Sequence, residues 1–496
     1  MNAQTTQDTL NLVKTALSTP SEDLRKTVSV GTGLVPFDLQ APAKNLYPVA
    51  TPLRNVIKRV GGGVGTATNW KQITAINGSG FDSMGWVPEG QRTGRMSYTA
   101  VSKAAAYATL GEEDNVTFEA INAGHTFEDV TATGVMRILQ KMMLKEENAI
   151  LGGNNNYALT TPAAPTVAVQ TTGGAVAAGT YNVYCVALTY EGYRNSSTVL
   201  GVAVNQNITG ADGQSYSLAG GSSAKSAPTS TGAIGTSTAI ITASVPSIMG
   251  ALGYAWYVGT PGNETLQAIT TINSVSLSSL TSTGQNASAI GSTNNSTNSL
   301  AFNGLLYAAL AGGGYVNQLA TGSAGVGTYL TASGRGSVVE IDNMLVQLWQ
   351  QYQVSPTVIY CNAQEIRNIT TKVLTSSSGP LLHMNNNNPL DPYAITAGNV
   401  VSFYFNPFAL DGGFKSPVKI HPLLPPGTIV AWTEQLPAQY QNNETPNVAE
   451  MKIRADYYSL EWPIKTRARE YGVYAEEVLA VYAPFAMGVI TNIANG

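Results

Sequence analysis

The stretch TFEDVTATGVMRILQKMMLKEENAILGGN, residues 126–154, decides how the rest of the chain is read. Val135, Ile138, Leu139, Met142, Met143 and Ile150 recur at helical spacing, Thr126 with Asp129 resembles a capping pair, and Gly152-Gly153 stand where a helix ends. The spacing predicts a helix of about six to seven turns, long for a globular domain, that serves as a structural spine. Arg137, Lys141 and Lys145 repeat every fourth residue along it and predict a cationic stripe opposite much of the apolar face. Like charges at that spacing repel, and a polyanion alongside would offset the repulsion. The plainer reading of the stripe is a solvated face moderated by Glu146 and Glu147.

On the amino-terminal side, Thr68 to Ile76 and Met96 to Val101 read as strands around a Gly-containing tip, Gly78 to Gly94, which predicts a long two-stranded hairpin. Such a hairpin buries too little to stand alone in water and needs a sheet, a helix or a neighbouring subunit beneath it. Before it, Pro20, Pro36, Pro42, Pro48 and Pro52 exclude a regular helix and favour an extended arm. Residues 1–19 place Leu10, Leu12, Val13, Ala16 and Leu17 at helical spacing without the basic start and apolar block of an export signal.

On the carboxyl side the composition shifts at Asn154-Asn155-Asn156, and from Pro162 to Asn298 the chain is Thr/Ser/Gly/Ala/Val-rich with scarcely any Lys or Arg. Alternation over Tyr181–Tyr190, Tyr254–Val258 and Ala268–Ile272 predicts a β-sandwich with Trp256 in its core, and the run from Gly179 to Gly192 resembles an immunoglobulin-like module. After a polar linker, Thr281 to Ser299, Ser337 to Glu340 reads as a capping box before Ile341, Leu345, Leu348, Trp349 and Tyr352. A strand at Thr357–Cys361 and a helix at 363–372 follow, so one α/β domain is interrupted by another. Strands are expected at 418–421, 428–432, 451–462 and 473–482.

The chain has 496 residues, with 26 Lys+Arg against 30 Asp+Glu for a net charge of −4, and 11% of residues are charged where soluble domains carry about 25%. Hydrophobic residues at 43% exclude the disorder signature. A surface so poor in charge predicts that much of it meets other chains. Cys185 and Cys361 allow at most one bridge and suit a reducing compartment, and no stretch approaches the roughly 18 apolar residues of a membrane span.

Chemistry is thinly supplied. His125, His383 and His421 are scattered, without His-x-x-x-His or Cys-x-x-Cys spacing, so no metal site and no cofactor are expected. Gly61-Gly62-Gly63-Val64-Gly65 lacks the Gly-Lys-Ser/Thr of a phosphate loop and reads as a bend, and Ser333-Gly334-Arg335-Gly336 reads as a hinge or cap. Glu112-Glu113-Asp114 and Glu476-Glu477 read as solvated or capping acids rather than a glycosidase pair. No catalytic residue is assigned.

The order of elements resembles the major capsid protein of tailed bacteriophages, the HK97-like fold, with an immunoglobulin-like domain inserted after the spine helix. The matching text is Ala50-Thr51-Pro52-Leu53-Arg54, Trp86-Val87-Pro88-Glu89-Gly90, residues 146–154, Leu424-Pro425-Pro426-Gly427-Thr428 and the strand text from Arg454 to Trp462. The resemblance implies an α+β class. It implies an arm at 1–53, an extended loop at 54–110, a peripheral domain with the spine at 111–158 and an inserted sandwich at 159–299. A return to the peripheral domain at 300–334, an axial domain at 335–435 and closing strands at 436–496 complete it.

The loop tip, with Trp86, Glu89 and Arg92, would contact a neighbouring subunit, and Arg137, Lys141 and Lys145 would face packaged DNA. Expected partners are further copies in hexamers and pentamers of an icosahedral head, double-stranded DNA bound without sequence preference, a separate scaffold, a portal and decoration proteins, with no membrane. The location would be the virion, assembled in the host cytoplasm. Lys71 and Lys103 lie in the loop, but no covalent crosslink is expected of them. The inserted domain is expected to project outward. The alternatives are another virion component such as a tail-tube subunit, and an extracellular adhesin or polysaccharide-active protein; the first lacks a use for a long spine, the second an export signal and an acid pair.

Overall fold

The computed structural model describes residues 46–78, 85–125, 128–334, 336–375, 401–409, 412–437, 440 and 447–496. Most of the arm, the amphipathic start, Thr126, Arg335 and His383 lie outside them. The chain divides into two compact units, residues 1–48 with 119–133, and residues 49–118 with 134–496.

The amino-terminal elements are α1 (Pro52–Val56), β1 (Lys58–Val60), β2 (Ala67–Asn77), β3 (Ser97–Ala106), β4 (Ala108–Thr117), α2 (Phe118–Gly124) and the spine, α3 (Val130–Gly152). Within the first unit Asp129 Oδ1 accepts from the N–H groups of Thr131 and Ala132 at 3.1 Å each, so Asp129 is itself the N-cap; Thr126, its expected partner in a capping pair, lies outside the described residues. The spine has 23 residues, as its apolar spacing required. β2 and β3 pair antiparallel from Ala67↔Ala106 to Asn77↔Ser97 and form a sheet of their own. Glu112, Glu113 and Asp114 lie in strand β4 rather than in a turn, paired with Val473, Gly472 and Tyr471. Their acidity disguised a strand whose two ends supply buried Ala108 and Val116.

The central elements are β5 (Thr166–Gln170), β6 (Gly179–Leu188), α4 (Tyr190–Asn195), β7 (Asn205–Thr209), β8 (Ser215–Ala219), β9 (Thr229–Ile234), β10 (Ile240–Ser244), β11 (Gly253–Gly259), β12 (Thr265–Thr270) and β13 (Ser274–Leu277). Antiparallel sheets of order β12-β11-β6-β9 and β13-β10-β5 enclose one core in which Val183, Cys185 and Trp256 are fully buried, the expected sandwich. Tyr190 opens α4 instead of closing β6, because Thr189 Oγ1 accepts from Gly192 N–H and caps a helix there. The expected linker at 281–299 is structured: Ala287 and Ile290 cover the outer face of β6 and β11, against Val186, Leu188, Ala255 and Tyr257. Its polar residues mask two apolar anchors that have meaning only opposite that sheet.

The sandwich is keyed to the rest of its unit. Tyr190 O–H donates to Asn148 Oδ1 of the spine at 2.8 Å, and Tyr307 O–H donates to Gly250 O at 3.2 Å. Asn492, at φ 64°, accepts from Asn273 N–H at 2.8 Å and donates to Asn273 Oδ1 at 3.0 Å and to Leu319 O at 2.7 Å. Asparagine tolerates that left-handed backbone better than most residues. Asn492→Ala is expected to cost about 2–4 kcal/mol, from the buried groups left unpartnered and the added backbone strain. A denaturant midpoint equal to that of the parent would refute it.

The closing elements are α5 (Leu305–Ala311), β14 (Tyr315–Gln318), β15 (Ala332–Ser333), β16 (Ser337–Val338), α6 (Val339–Tyr352), β17 (Val358–Cys361), α7 (Ala363–Thr375), β18 (Phe403–Asn406), β19 (Phe414–Ile420), β20 (Ile429–Trp432), β21 (Ala449–Glu461), β22 (Ala468–Val481) and β23 (Gly488–Thr491). The expected capping box does not form. Val338 occupies the N-cap of α6 without a side-chain bond, Ser337 Oγ bonds Asp342 Oδ2 at 2.5 Å, and Glu340 accepts from Thr331 N–H at 3.0 Å. Ser337 is taken by its pairing in β16, which leaves the helix to start later.

A mixed six-stranded sheet, order β14-β23-β20-β17-β19-β18, packs on Ile341, Met344, Leu345 and Leu348 of α6. β23, absent from the sequence reading, is an inner strand of four buried residues. A four-stranded sheet, order β1-β21-β22-β4, completes an α+β fold.

Candidate subunit interface

Apolar residues at non-consecutive spacing give β2 and β3 their strand character, but beyond their foot nothing in the described chain covers them. From residue 73 to residue 104 every described residue is exposed. Ile76 (71% exposed) and Tyr98 (64%) sit opposite one another, Ile73, Met96 and Val101 are exposed nearby, and Trp86 toward the tip is 90% exposed. Glu89 and Arg92 share that exposed tip. An exposed two-stranded ribbon that carries apolar side chains, with both edges open among the described residues, is the kind of surface that marks interaction sites.

At its foot the hairpin is held to the rest of its unit. Trp70 packs edge-on against Tyr482 with centroids 5.5 Å apart, and Gln72 donates to Tyr482 O. Arg454 donates to Gly65 O at 2.8 Å and to Glu476 Oε2 at 2.6 Å, and its guanidinium lies 5.5 Å from the Tyr107 ring centre, so one side chain grips both legs.

Beneath the foot is a buried charge node that sequence reading missed. Glu146 and Glu147 are not a solvated face: both are fully buried on α3. Glu146 takes Arg54 Nε at 2.7 Å, Arg59 Nη1 and the Tyr457 hydroxyl, and Arg59 Nη2 reaches Asp456 at 2.9 Å and Glu477 Oε2 at 3.4 Å. Glu147 accepts from Leu53 N–H at 2.9 Å, Arg54 N–H at 2.8 Å and His421 Nε2 at 2.7 Å. Leu423 N–H donates to His421 Nδ1 at 3.3 Å, which leaves Nε2 to carry the ring proton. His421 is thus the hydrogen-bonded histidine its isolation suggested. The i, i+1 pair of acids was the available signal: adjacent carboxylates in a helix point to different neighbours, and here each meets a separate set of donors.

Glu477 is likewise buried rather than solvated, and its Oε1 has no hydrogen-bond partner among the described residues. Burial, then the nearby Glu146 carboxylate, push its pKa up to about 8 against the pull of Arg59 and Arg54. With Glu477 protonated, Arg54 and Arg59 balance Glu146 and Asp456. Because the folded value lies above the unfolded 4.5, the stability Glu477 lends is complete below pH 4.5 and is lost as pH rises through about 8. Burial would raise Asp456 too, but the Tyr457 N–H and the two guanidiniums hold it below its ordinary value.

The expected cationic stripe is shortened. Arg137 and Lys141 are exposed, whereas Lys145 is half-buried and bonded to Glu112 and, at 3.3 Å, to Gly111 O. Among the described residues no group of three or more His, Cys, Asp or Glu is placed to hold a metal, and no helix is long and apolar enough to cross a membrane. Cys185 and Cys361 are buried free thiols, both held protonated by burial.

No protein-family model matches the chain, and no curated protein matches it. Among solved structures it is similar to the capsid of a native GTA particle, at 10% identity and TM-score 0.41 over 94% of this chain and 98% of that one. It is also similar to the capsid of Myoviridae phage XM1 (10%, 0.40, 94% and 99%) and to a holo-encapsulin complex from Synechococcus elongatus (8%, 0.40, 94% and 94%).

Proposed function

We propose that this chain is the subunit of a closed protein shell. Within that class, the particular reading is the major capsid protein of a tailed bacteriophage, building hexamers and pentamers of an icosahedral head around double-stranded DNA. The observation that carries it is the bare β2–β3 ribbon: a two-stranded sheet with apolar side chains on it is not self-sufficient in water, and a second copy supplies the missing cover. The scarcity of charge supports the same reading, since a surface enclosed by siblings does not depend on repulsion to stay dispersed. The role is structural rather than enzymatic.

In this reading Trp86, Glu89 and Arg92 contact the adjacent subunit, and the inserted sandwich, immunoglobulin-like in kind, braces its own subunit through Tyr190, Asn273 and Asn492. A separate scaffold, a portal and decoration proteins are its further partners, and assembly takes place in the host cytoplasm. Electron microscopy of purified protein tests the proposal: closed shells are expected, while tubes point to a tail component and dispersed monomers at all concentrations refute assembly.

Arg137 and Lys141, the exposed remainder of the stripe, line the DNA side in this reading. Reversing both, Arg137→Glu with Lys141→Glu, is expected to weaken DNA retention and to lower the salt dependence by about two phosphate contacts. Unchanged genome retention at low salt would remove DNA from their role; Lys145, paired to Glu112, is left out of the test.

A further inference from the structure

We propose that the Gly61–Gly65 run is a hinge for the β2–β3 hairpin and that the Arg59–Glu146–Glu477 node is its lock, kept shut by a proton on Glu477. The device belongs to the single chain and does not rest on the shell reading.

The hinge is visible in the backbone. Gly62 (φ +85°) and Gly65 (φ +73°) occupy left-handed conformations, and a Cβ placed on Gly61, Gly62 or Gly65 would meet nothing within 4 Å. Open space and glycine freedom coincide on one leg of the hairpin. The other leg passes through Tyr107, which joins β3 to β4 and whose N–H donates to Thr66 O at 3.0 Å. Only Gly63 is confined, against Tyr107 and Ile453 O, and it marks where the leg is seated.

The lock lies immediately before the hinge. β1 is an edge strand of three residues, pairing Lys58, Arg59 and Val60 with Glu450, Met451 and Lys452 of β21. So short a strand is not held by its ladder alone; Arg59 anchors it by reaching under the sheet to Glu146, Asp456 and Glu477. The charged and titratable groups facing Glu477 are Glu146 from α3, Arg54 from α1, Arg59 from β1, and Asp456 from β21, with Tyr457 completing the node through Glu146. When Glu477 loses its proton, three carboxylates face two guanidiniums, and since Glu146 and Glu477 are both buried, the surplus negative charge is relieved by opening the node to solvent. β1 then leaves the sheet edge, the free leg lengthens from Gly61–Thr66 back toward Ile57, and the hairpin changes its angle. The Arg454 grip on Gly65 and Tyr107 and the contacts of Trp70 and Gln72 with Tyr482 lie outside the node and keep the foot attached as the angle changes.

Spin labels on the full chain measure this. Thr99→Cys on β3 and Ser459→Cys on β21 are exposed positions, while the native thiols are buried and stay unlabelled. At constant ionic strength the distance distribution is expected to be narrow at pH 6 and to shift and broaden by pH 9.5, with a midpoint near the value of about 8 for Glu477. Glu477→Gln, which cannot ionise, is expected to stay narrow at both. Asp456→Asn removes one negative charge at an exposed position and is expected to keep the hairpin shut at pH 9.5 even where Glu477→Gln fails to fold. A parent distribution that is the same at both pH values, or variants that open as the parent does, overturns the proposal.

Discussion

Ile76→Asp combined with Tyr98→Ser is expected to abolish closed particles while the dispersed subunit melts as the parent does. Both side chains are mostly solvated in the single chain, so their loss removes little from the fold. Covered by a neighbour, each contributes about 1.5–3 kcal/mol of burial, and a carboxylate at position 76 adds the cost of an unpaired charge in the same contact. A loss of about 3 kcal/mol per contact is more than a hundredfold in association, and it recurs at every copy of the interface. Sedimentation of the variant beside the parent reads it. Particles of parental size and yield would show that the ribbon is not an assembly surface; a lowered melting temperature would show that it packs on its own chain.

The largest effect on the subunit itself is expected from Glu147→Ala. This carboxylate ties the spine to two places far apart in sequence, the start of α1, where it accepts from the Leu53 and Arg54 N–H groups, and the turn at His421, where it accepts from Nε2. Truncation strands the Leu53 and Arg54 N–H groups and the His421 ring proton together, at about 3–5 kcal/mol. Glu147→Gln is expected to cost less, because its carbonyl oxygen in the place of Oε1 still accepts from Leu53 N–H and His421 Nε2, while its amide opposes only the Arg54 N–H. Guanidinium unfolding orders the series parent, Gln, Ala. Equal midpoints for the parent and Ala would mean that the three elements are held together by their apolar contacts alone.

Local elements were legible because they are set by neighbours in the chain. The apolar spacing of α3, its Asp129 cap, the β2–β3 ribbon, the strands from Ala449 and Ala468 and the burial of Trp256 all follow from period and turn chemistry. That the ribbon needs a cover was legible too, since two strands bury too little alone, but not which of a sheet, a helix or a neighbouring subunit supplies it.

The misreadings share one cause. Glu146, Glu147 and Glu477 carry in their composition the mark of a solvated face, and only the arrival of Arg54, Arg59 and His421 from remote positions makes their burial affordable in free energy. β23 and the segment around Ile290 are too short to announce themselves and acquire their roles from the sheets they complete. Lys145 left the cationic row because β4 brings Glu112 beside it. Periodicity thus settles which segments are helix or strand, being a property of adjacent residues; which charges are inside, which strands are central and where the hairpin is anchored depend on pairs distant in sequence, and those pairs exist only once the chain has closed on itself.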